Sequence, residues 1–390
     1  MPRHEKMLVV AVMALAAVGW TASPTGAVDG AGGVATWGDN TYGQLGDGTR
    51  IDHLTPAEIP SLSDVATIEG GREHALALTP GGSVYAWGWN RKGQVGNGST
   101  AYTVTKPVEV LTNAIDIGAG HYSSFAVKDD GTVWGWGQNS TGQIGTGTTA
   151  THVRTPTQIA GLDGIAIVDV AGGRNHVLAL TTGGEVYAWG SNHEGQLGDG
   201  TLTSSSMPVQ VSTLSGIVAI FAGRDHSLAV RSDGTVWAWG FNRHGELGDG
   251  TAKTRTLPVQ VRRKNGDALA NIVAVAAGAN HSLALRSDGT AWAWGDNADG
   301  QLGDGTFMTR LRAVKVASLS GVEQIAGARQ NSIAVTTAGC VYTWGENTYG
   351  QLGDGTVSTT GRNIPARVPG LSNVSTVGAG RDFGMAIVVP

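Results

Sequence analysis

Four histidines, His74, His176, His226 and His281, hold one recurring position along the 390-residue chain; Ser123, Asn331 and Phe383 fill it elsewhere. Two residues before it stand Arg72, His121, Arg174, Arg224, Ala279, Arg329 and Arg381. The intervening position carries Glu73, Tyr122, Asn175, Asp225, Asn280, Gln330 and Asp382. Histidines could ligate a metal or take a catalytic role, and arginines could pair with carboxylates or anchor a protein interface. Recurrence at long, even intervals places the histidines in separate structural units, so they need not converge. A structural hydrogen bond from each imidazole to a turn is the simpler expectation. The arginine position admits two readings. Local pairing with the adjacent acids would merely solvate one face; a shared polar rim would recognise a protein, since arginine and aromatic side chains anchor interfaces.

Other chemistry is scarce. Cys340 is the only cysteine, which excludes an internal disulfide, and its strand neighbours Val341 and Tyr342 suggest a small buried side chain. Asp-Gly-Thr recurs at Asp47, Asp199, Asp249, Asp304 and Asp354 as single acids in separate copies, a turn signal rather than a calcium loop. Phosphate loops, nucleophile elbows and Cys-His metal spacings are absent, so no cofactor or catalytic residue is expected. A net charge of -5 argues against nucleic-acid binding. The stretch Lys253 to Asp267, with Arg255, Arg262, Arg263 and Lys264, should project as a local basic loop. Trp89, just past a strand end, is the best candidate for an exposed aromatic.

The positioning elements follow from a repeat. Trp-Gly recurs at Trp37, Trp87, Trp136, Trp189, Trp239, Trp294 and Trp344, a period of about 50 residues. Within each copy an alternating apolar run, a tight turn such as Ser287-Asp288-Gly289, and a second alternating run read as a hairpin. An Asn then precedes Gly-Gln or Gly-Glu in a Gly-rich segment, and a strand marked by Pro56, Pro107, Pro156, Pro208, Pro258 or Pro365 follows. Proline there fits an outer edge strand. Each copy thus supplies four strands. Alternation puts Trp292 and Trp294 on one face and Ala291 and Ala293 on the other, which suits close packing of neighbouring units. The first copy lacks the histidine half and the last stops after supplying it. The ends therefore complement each other, and the fold expected is all-β: a seven-bladed β-propeller whose N- and C-terminal strands close one shared blade. In such a ring the arginine loops share one end.

Residues 1–27 differ in kind. Arg3 and Lys6 precede the apolar run Met7 to Trp20, and a small-residue segment ends at Ala27. This layout reads as a secretory signal peptide, leaving residues 28–390 as one propeller. The run is too short for a bilayer span, so no membrane association is expected after its removal.

The stretch GRDHSLAVRSDGTVWAWGFNRHGELGDGT, residues 223–251, resembles the regulator of chromosome condensation repeat, and the likeness covers about residues 32–389. It implies a seven-bladed propeller closed by terminal strands. Family roles include nucleotide exchange on a small GTPase with nucleosome binding, ultraviolet-B reception, and inhibition of β-lactamase by a secreted bacterial member. Light reception in the family goes with a Gly-Trp-Arg-His-Thr loop. Here Arg72, Arg174, Arg224, Ala279, Arg329 or Arg381 stands at its tryptophan. With the signal peptide, the expectation is a secreted bacterial-type member, extracellular or periplasmic, acting as a monomeric, non-enzymatic scaffold or inhibitor-like module. An unidentified protein would dock on a rim formed by Arg72, Glu73, His121, Tyr122, Arg174, Arg224, Asp225, Arg329, Arg381 and Asp382. The alternatives are a secreted enzyme or ligand sensor using the channel mouth, and guanine-nucleotide exchange.

Overall fold

Short alternating runs separated by glycine turns can only bury one face if they pair laterally and stack. A computed structural model describes residues 31–390 and shows this arrangement. Seven four-stranded antiparallel sheets form the blades of a propeller. Blades 1 to 6 run Thr67–Leu111, Ala114–Gln158, Ile167–Gln210, Ile217–Gln260, Ile272–Lys315 and Val322–Arg367. Blade 7 joins Val374–Ala379 and Phe383–Val388 to Gly33–Gly38 and His53–Glu58. Its seam is a continuous antiparallel register from Gly33 opposite Val388 to Gly38 opposite Phe383. The complementary chain ends do meet.

The core lies between blades. The inner tryptophans Trp37, Trp87, Trp136, Trp189, Trp239, Trp294 and Trp344 are fully buried. Trp294 of blade 5, for example, packs among Leu228, Val230, Val236 and Val261 of blade 4. Each indole N–H also donates to a backbone carbonyl of the preceding blade: Trp136 to Gln94 at 2.9 Å, Trp189 to Gln143 at 3.0 Å, Trp239 to Gln196 at 2.8 Å. A glycine makes room for the ring. At Gly198 (φ 67°) a Cβ would lie 2.8 Å from Trp239 Nε1, so the Gly-Gln spacing reflects both the turn and the seat of the next blade's tryptophan. The outer aromatics are half-buried, with the Lys128 ammonium over Trp134 and the Arg231 guanidinium over Trp237.

The Asn and Asp-Gly-Thr positions organise the Gly-rich segment. Asn192 Nδ2 donates to Asp199 Oδ1 and to the carbonyls of Thr201 and Thr203, and its Oδ1 accepts the Leu197 N–H at 2.9 Å. Asp199 caps the Thr201 N–H at 2.9 Å. The proline-bearing strands are the outermost in every blade where the proline occurs. The insertion after blade 4 is a turn pinned by Arg263–Asp267 at 3.0 Å and tied to blade 5 by the Ala313 N–H donating to the Arg262 carbonyl at 2.9 Å, with Leu269 buried. Arg255 belongs instead to strand Arg255–Gln260, so the expected basic loop is shorter than the sequence suggested. Cys340 is half-buried and lies in the turn before Val341–Asn347, not inside a strand as its neighbours suggested.

The histidines are structural, but their partner differs from the turn expected. His74 Nε2 lies 2.9 Å from Ser124 Oγ of the next blade, and that hydroxyl donates to the Gln94 carbonyl at 2.8 Å. His176–Ser227, His226–Ser282 and His281–Ser332 repeat the bridge at 3.0–3.1 Å. Burial holds all four imidazoles neutral, His226 down at about 3 and His176 at about 4. The sign of the pH effect follows. The unfolded histidine titrates near 6.5, so the contribution of His226 is complete above that pH and is lost as pH falls towards 3. His226→Asn, which copies Asn331, should be less stable than the parent at pH 7.5. The gap should narrow by roughly 1 kcal/mol per pH unit below 6.5. Denaturant midpoints at pH 7.5 and 5.5 check this, and a constant gap would contradict it.

Candidate functional site: an arginine rim at the channel mouth

The loop between the first and second strands of each blade is only a few residues long, so seven such loops converge at one end of the central channel. Their backbones are linked from blade to blade. The Arg72 N–H donates to the His121 carbonyl at 3.1 Å, His121 to Gly173 at 3.1 Å, Arg174 to Arg224 at 2.9 Å, Ala279 to Arg329 at 3.1 Å and Arg329 to Arg381 at 3.3 Å. Arg381 is linked in turn to Arg72 across the seam blade at 3.2 Å, so the links join every neighbouring pair of rim loops except those of blades 4 and 5. Arg72, His121, Arg174, Arg224, Ala279, Arg329 and Arg381 all line a channel cavity of about 460 Å³.

The acids stand beside these arginines. Glu73 lies 3.4 Å from Arg72 and 3.3 Å from Arg381. Asp382 is 3.2 Å from Arg381 and 3.5 Å from Arg329, which also holds Glu346 at 2.8 Å. Asp225 lies 3.6 Å from Arg174 and 3.4 Å from Arg224. The arginine side chains remain 28–44 % exposed, so these pairs add little stability. Burial pushes the Glu73, Asp225 and Asp382 carboxyls up, Asp382 to about 6, despite the neighbouring arginines. Burial, and then Arg72, Arg224, Arg174 and Arg381, hold His121 neutral at about 3. The geometry thus combines local ion pairing with convergence of the arginine loops on one channel mouth.

Trp89 corrects an expectation. It is 8 % exposed, not an open aromatic. Its ring is covered by Tyr122 of blade 2 at 4.8 Å, Tyr42 of blade 7 at 6.0 Å and Tyr102 at 6.2 Å between centroids. Arg72 donates to the Tyr122 hydroxyl and stacks 5.1 Å from its ring centroid. Tyr102, 48 % exposed, is the open member of the cluster. An aromatic patch therefore adjoins the arginine rim on blades 1, 2 and 7.

Sequence reasoning missed the acids inside the channel. Glu69, Asp116 and Asp169 come from the first strands of blades 1, 2 and 3. Asp116 Oδ2 accepts the Val170 N–H at 3.0 Å. Burial and the Asp169 charge push Glu69 up to about 8. Other copies carry Ala219, Ala274, Gln324 or Thr376 where Asp116 and Asp169 stand, so no repeat pattern marks them. Among the described residues, no cluster of histidine, cysteine or carboxylate side chains could hold a metal, and no helix is long and apolar enough to cross a membrane.

The comparisons with known proteins agree with this geometry. The model of the RCC1-like domain matches residues 2–273, and models of the regulator of chromosome condensation repeat match residues 272–301, 322–351, 288–335 and 338–387. The E3 ubiquitin-protein ligase HERC2 of Homo sapiens is 32 % identical over 185 residues, 47 % of this chain and 3 % of that protein. The ultraviolet-B receptor UVR8 of Arabidopsis thaliana is 32 % identical over 147 residues, 38 % of this chain and 21 % of the receptor. The chain thus spans only a small part of these relatives. Prp20p of Saccharomyces cerevisiae, described with its binding properties to Gsp1p and histones, superposes with a TM-score of 0.82 at 22 % identity, covering 93 % of each chain. Human WBSCR16 gives a TM-score of 0.80 at 22 % identity, covering 91 % of this chain and 99 % of that one.

These relatives overturn the expected setting. They are eukaryotic nuclear or cytoplasmic proteins, so the secreted bacterial-type membership, the extracellular or periplasmic location and the secreted inhibitor-like role are corrected. Residues 1–27, read as a signal peptide, lie outside the described residues. With a family model covering most of its length and seven matching blades in its structure, the chain belongs to the RCC1-like domain family.

Proposed function

We propose that the chain is a non-catalytic docking propeller of the nucleotide-exchange kind, which binds a small GTPase through the arginine rim and lowers that partner's hold on its nucleotide. The observation carrying this reading is the convergence of Arg72, Arg174, Arg224, Arg329 and Arg381 on one channel mouth beside the Trp89–Tyr102–Tyr122 patch. Support comes also from a whole-chain likeness to Prp20p, whose description names Gsp1p. Short rim loops cross-linked by backbone hydrogen bonds between most neighbouring blades need little ordering on binding, and arginines flanked by aromatics make strong interface anchors.

The test is release of a fluorescent guanine nucleotide from a Gsp1p-type GTPase, with and without the full chain. Acceleration of at least tenfold is expected, and changing the five rim arginines to alanine should remove it. Changing Arg231 and Arg286, which pair with Asp233 and Asp288 in hairpin turns away from the rim loops, should not. Binding without acceleration would keep the docking role and remove exchange; neither binding nor acceleration would remove both.

A further inference from the structure

The positive charge of the rim is neutralised unevenly. On blades 1, 6 and 7 three guanidiniums, Arg72, Arg329 and Arg381, meet three carboxylates, Glu73, Glu346 and Asp382. On blades 3 and 4, Arg174 and Arg224 share Asp225 alone, at the long distances of 3.6 and 3.4 Å. Arg224 Nε, like Arg72 Nε and Arg329 Nε on the other half, is buried without a hydrogen-bond acceptor. Beside them Arg243 forms no ion pair among the described residues; its guanidinium carbon lies 5.8 Å from the Phe241 ring centroid. All three arginines border a cavity of about 500 Å³ between blades 3 and 4, which opens on the same end as the rim.

Two further acids come near this cavity, and only Glu194 shares its wall, so three arginines there face two carboxylates, Asp225 and Glu194. Glu246 is committed to its own loop, accepting the His244 N–H at 2.9 Å and facing His244 Nδ1 at 3.0 Å. Glu194 lines the wall without an ion pair to any of the three arginines. Three guanidiniums thus border a space whose wall carries two carboxylates, one of them free of any ion pair to the three. Guanidinium donors in that state favour an oxyanion, because a carboxylate or phosphate accepts two parallel N–H bonds from one fork. Phe241 supplies an apolar wall that strengthens charge-assisted bonds by displacing water.

We propose that the cavity between blades 3 and 4 is an oxyanion subsite, built by Arg174, Arg224 and Arg243, for a carboxylate or phosphate carried by the protein that docks on the rim. The source of the anion rests on the docking role proposed above; the subsite itself does not. It assigns Arg243, which lies outside the rim loops, to recognition. It also makes the two halves of the rim different in kind: an aromatic anchor on one side and an anion clamp on the other.

Titration of the full chain with inorganic phosphate at fixed ionic strength, followed through the arginine Nε–Hε NMR signals, tests the subsite without any partner. Signals of Arg174, Arg224 and Arg243 should shift and saturate together while those of Arg72, Arg329 and Arg381 stay still. Arg243→Gln should weaken the affinity at least fivefold with an unchanged melting temperature. A parallel arm with glutarate reads the carboxylate form. Parallel, unsaturated shifts of all six arginines, or none, would overturn the proposal. In the last arm phosphate competes with the docked GTPase, and at least a threefold rise in its apparent Kd is expected. Saturable phosphate binding without competition would reassign the subsite to a free anion and overturn the docked source. A GTPase that never docks leaves the phosphate and glutarate arms to decide the subsite alone.

Discussion

A chain ended after Asp382, lacking only Phe383 to Pro390, is expected to lose its cooperative thermal transition. The strand Phe383–Val388 is paired on both sides, to Gly33–Gly38 across the seam and to Val374–Ala379 within the same blade. Phe383, Met385 and Ile387 are fully buried in one cluster with Val34, Val65 and Trp87. Removing them forfeits roughly 1.5–3 kcal/mol for each large side chain, before counting Trp37, whose packing partner on the seam disappears. Against a typical total stability of about 5–15 kcal/mol, that loss is most of what a domain has. Opening the ring also exposes two blade faces whose apolar side chains had been shared. A milder version probes the same seam. A Cβ on Gly384 would lie 2.4 Å from Trp37 Cε2, so Gly384→Ala should cost about 1–3 kcal/mol. Melting followed by near-ultraviolet circular dichroism is the measurement. A truncated chain that melts within a few degrees of the parent would show that the seam does not hold the ring.

Trp136→Ala should destabilise by about 3–5 kcal/mol, the range for emptying a large buried aromatic site. The ring sits among Leu76, Leu78, Val84, Val95 and Ile117, so its loss leaves a cavity between blades 1 and 2. The polar part of the cost can be separated. The Gln94 carbonyl that accepts the indole N–H also accepts Ser124 Oγ at 2.8 Å, so it is not orphaned when the indole goes. Trp136→Phe keeps most of the apolar area and should cost only about 1–2 kcal/mol. Denaturant midpoints of the two variants check the split. Equal costs would mean that the hydrogen bond, not the packing, sets the value.

The repeat made the architecture legible. Seven Trp-Gly pairs gave the blade count, and split units at the ends gave the seam, because strand alternation and turn chemistry are local properties that survive in each copy. The arginine positions were legible for the same reason: one loop offset, repeated around a ring, must converge. Features made by several blades at once were not. Trp89 looks exposed at a strand end, yet Tyr42, Tyr102 and Tyr122, contributed by three blades, cover it. The channel acids and Arg243 occur where other copies differ, so periodicity says nothing about them. Setting was the weakest inference: a short apolar leader-like segment outweighed the family likeness, and the relatives point elsewhere.

The claim that one propeller end does the docking is tested most directly by hydrogen exchange on the complex with the GTPase. Added protection is expected in the rim loops around Arg72, His121, Arg174, Arg224, Arg329 and Arg381. No change is expected in the opposite-end hairpins around Gly82, Gly131, Gly234 and Gly289. Protection confined to those hairpins, with the rim loops exchanging as in the free protein, would contradict it.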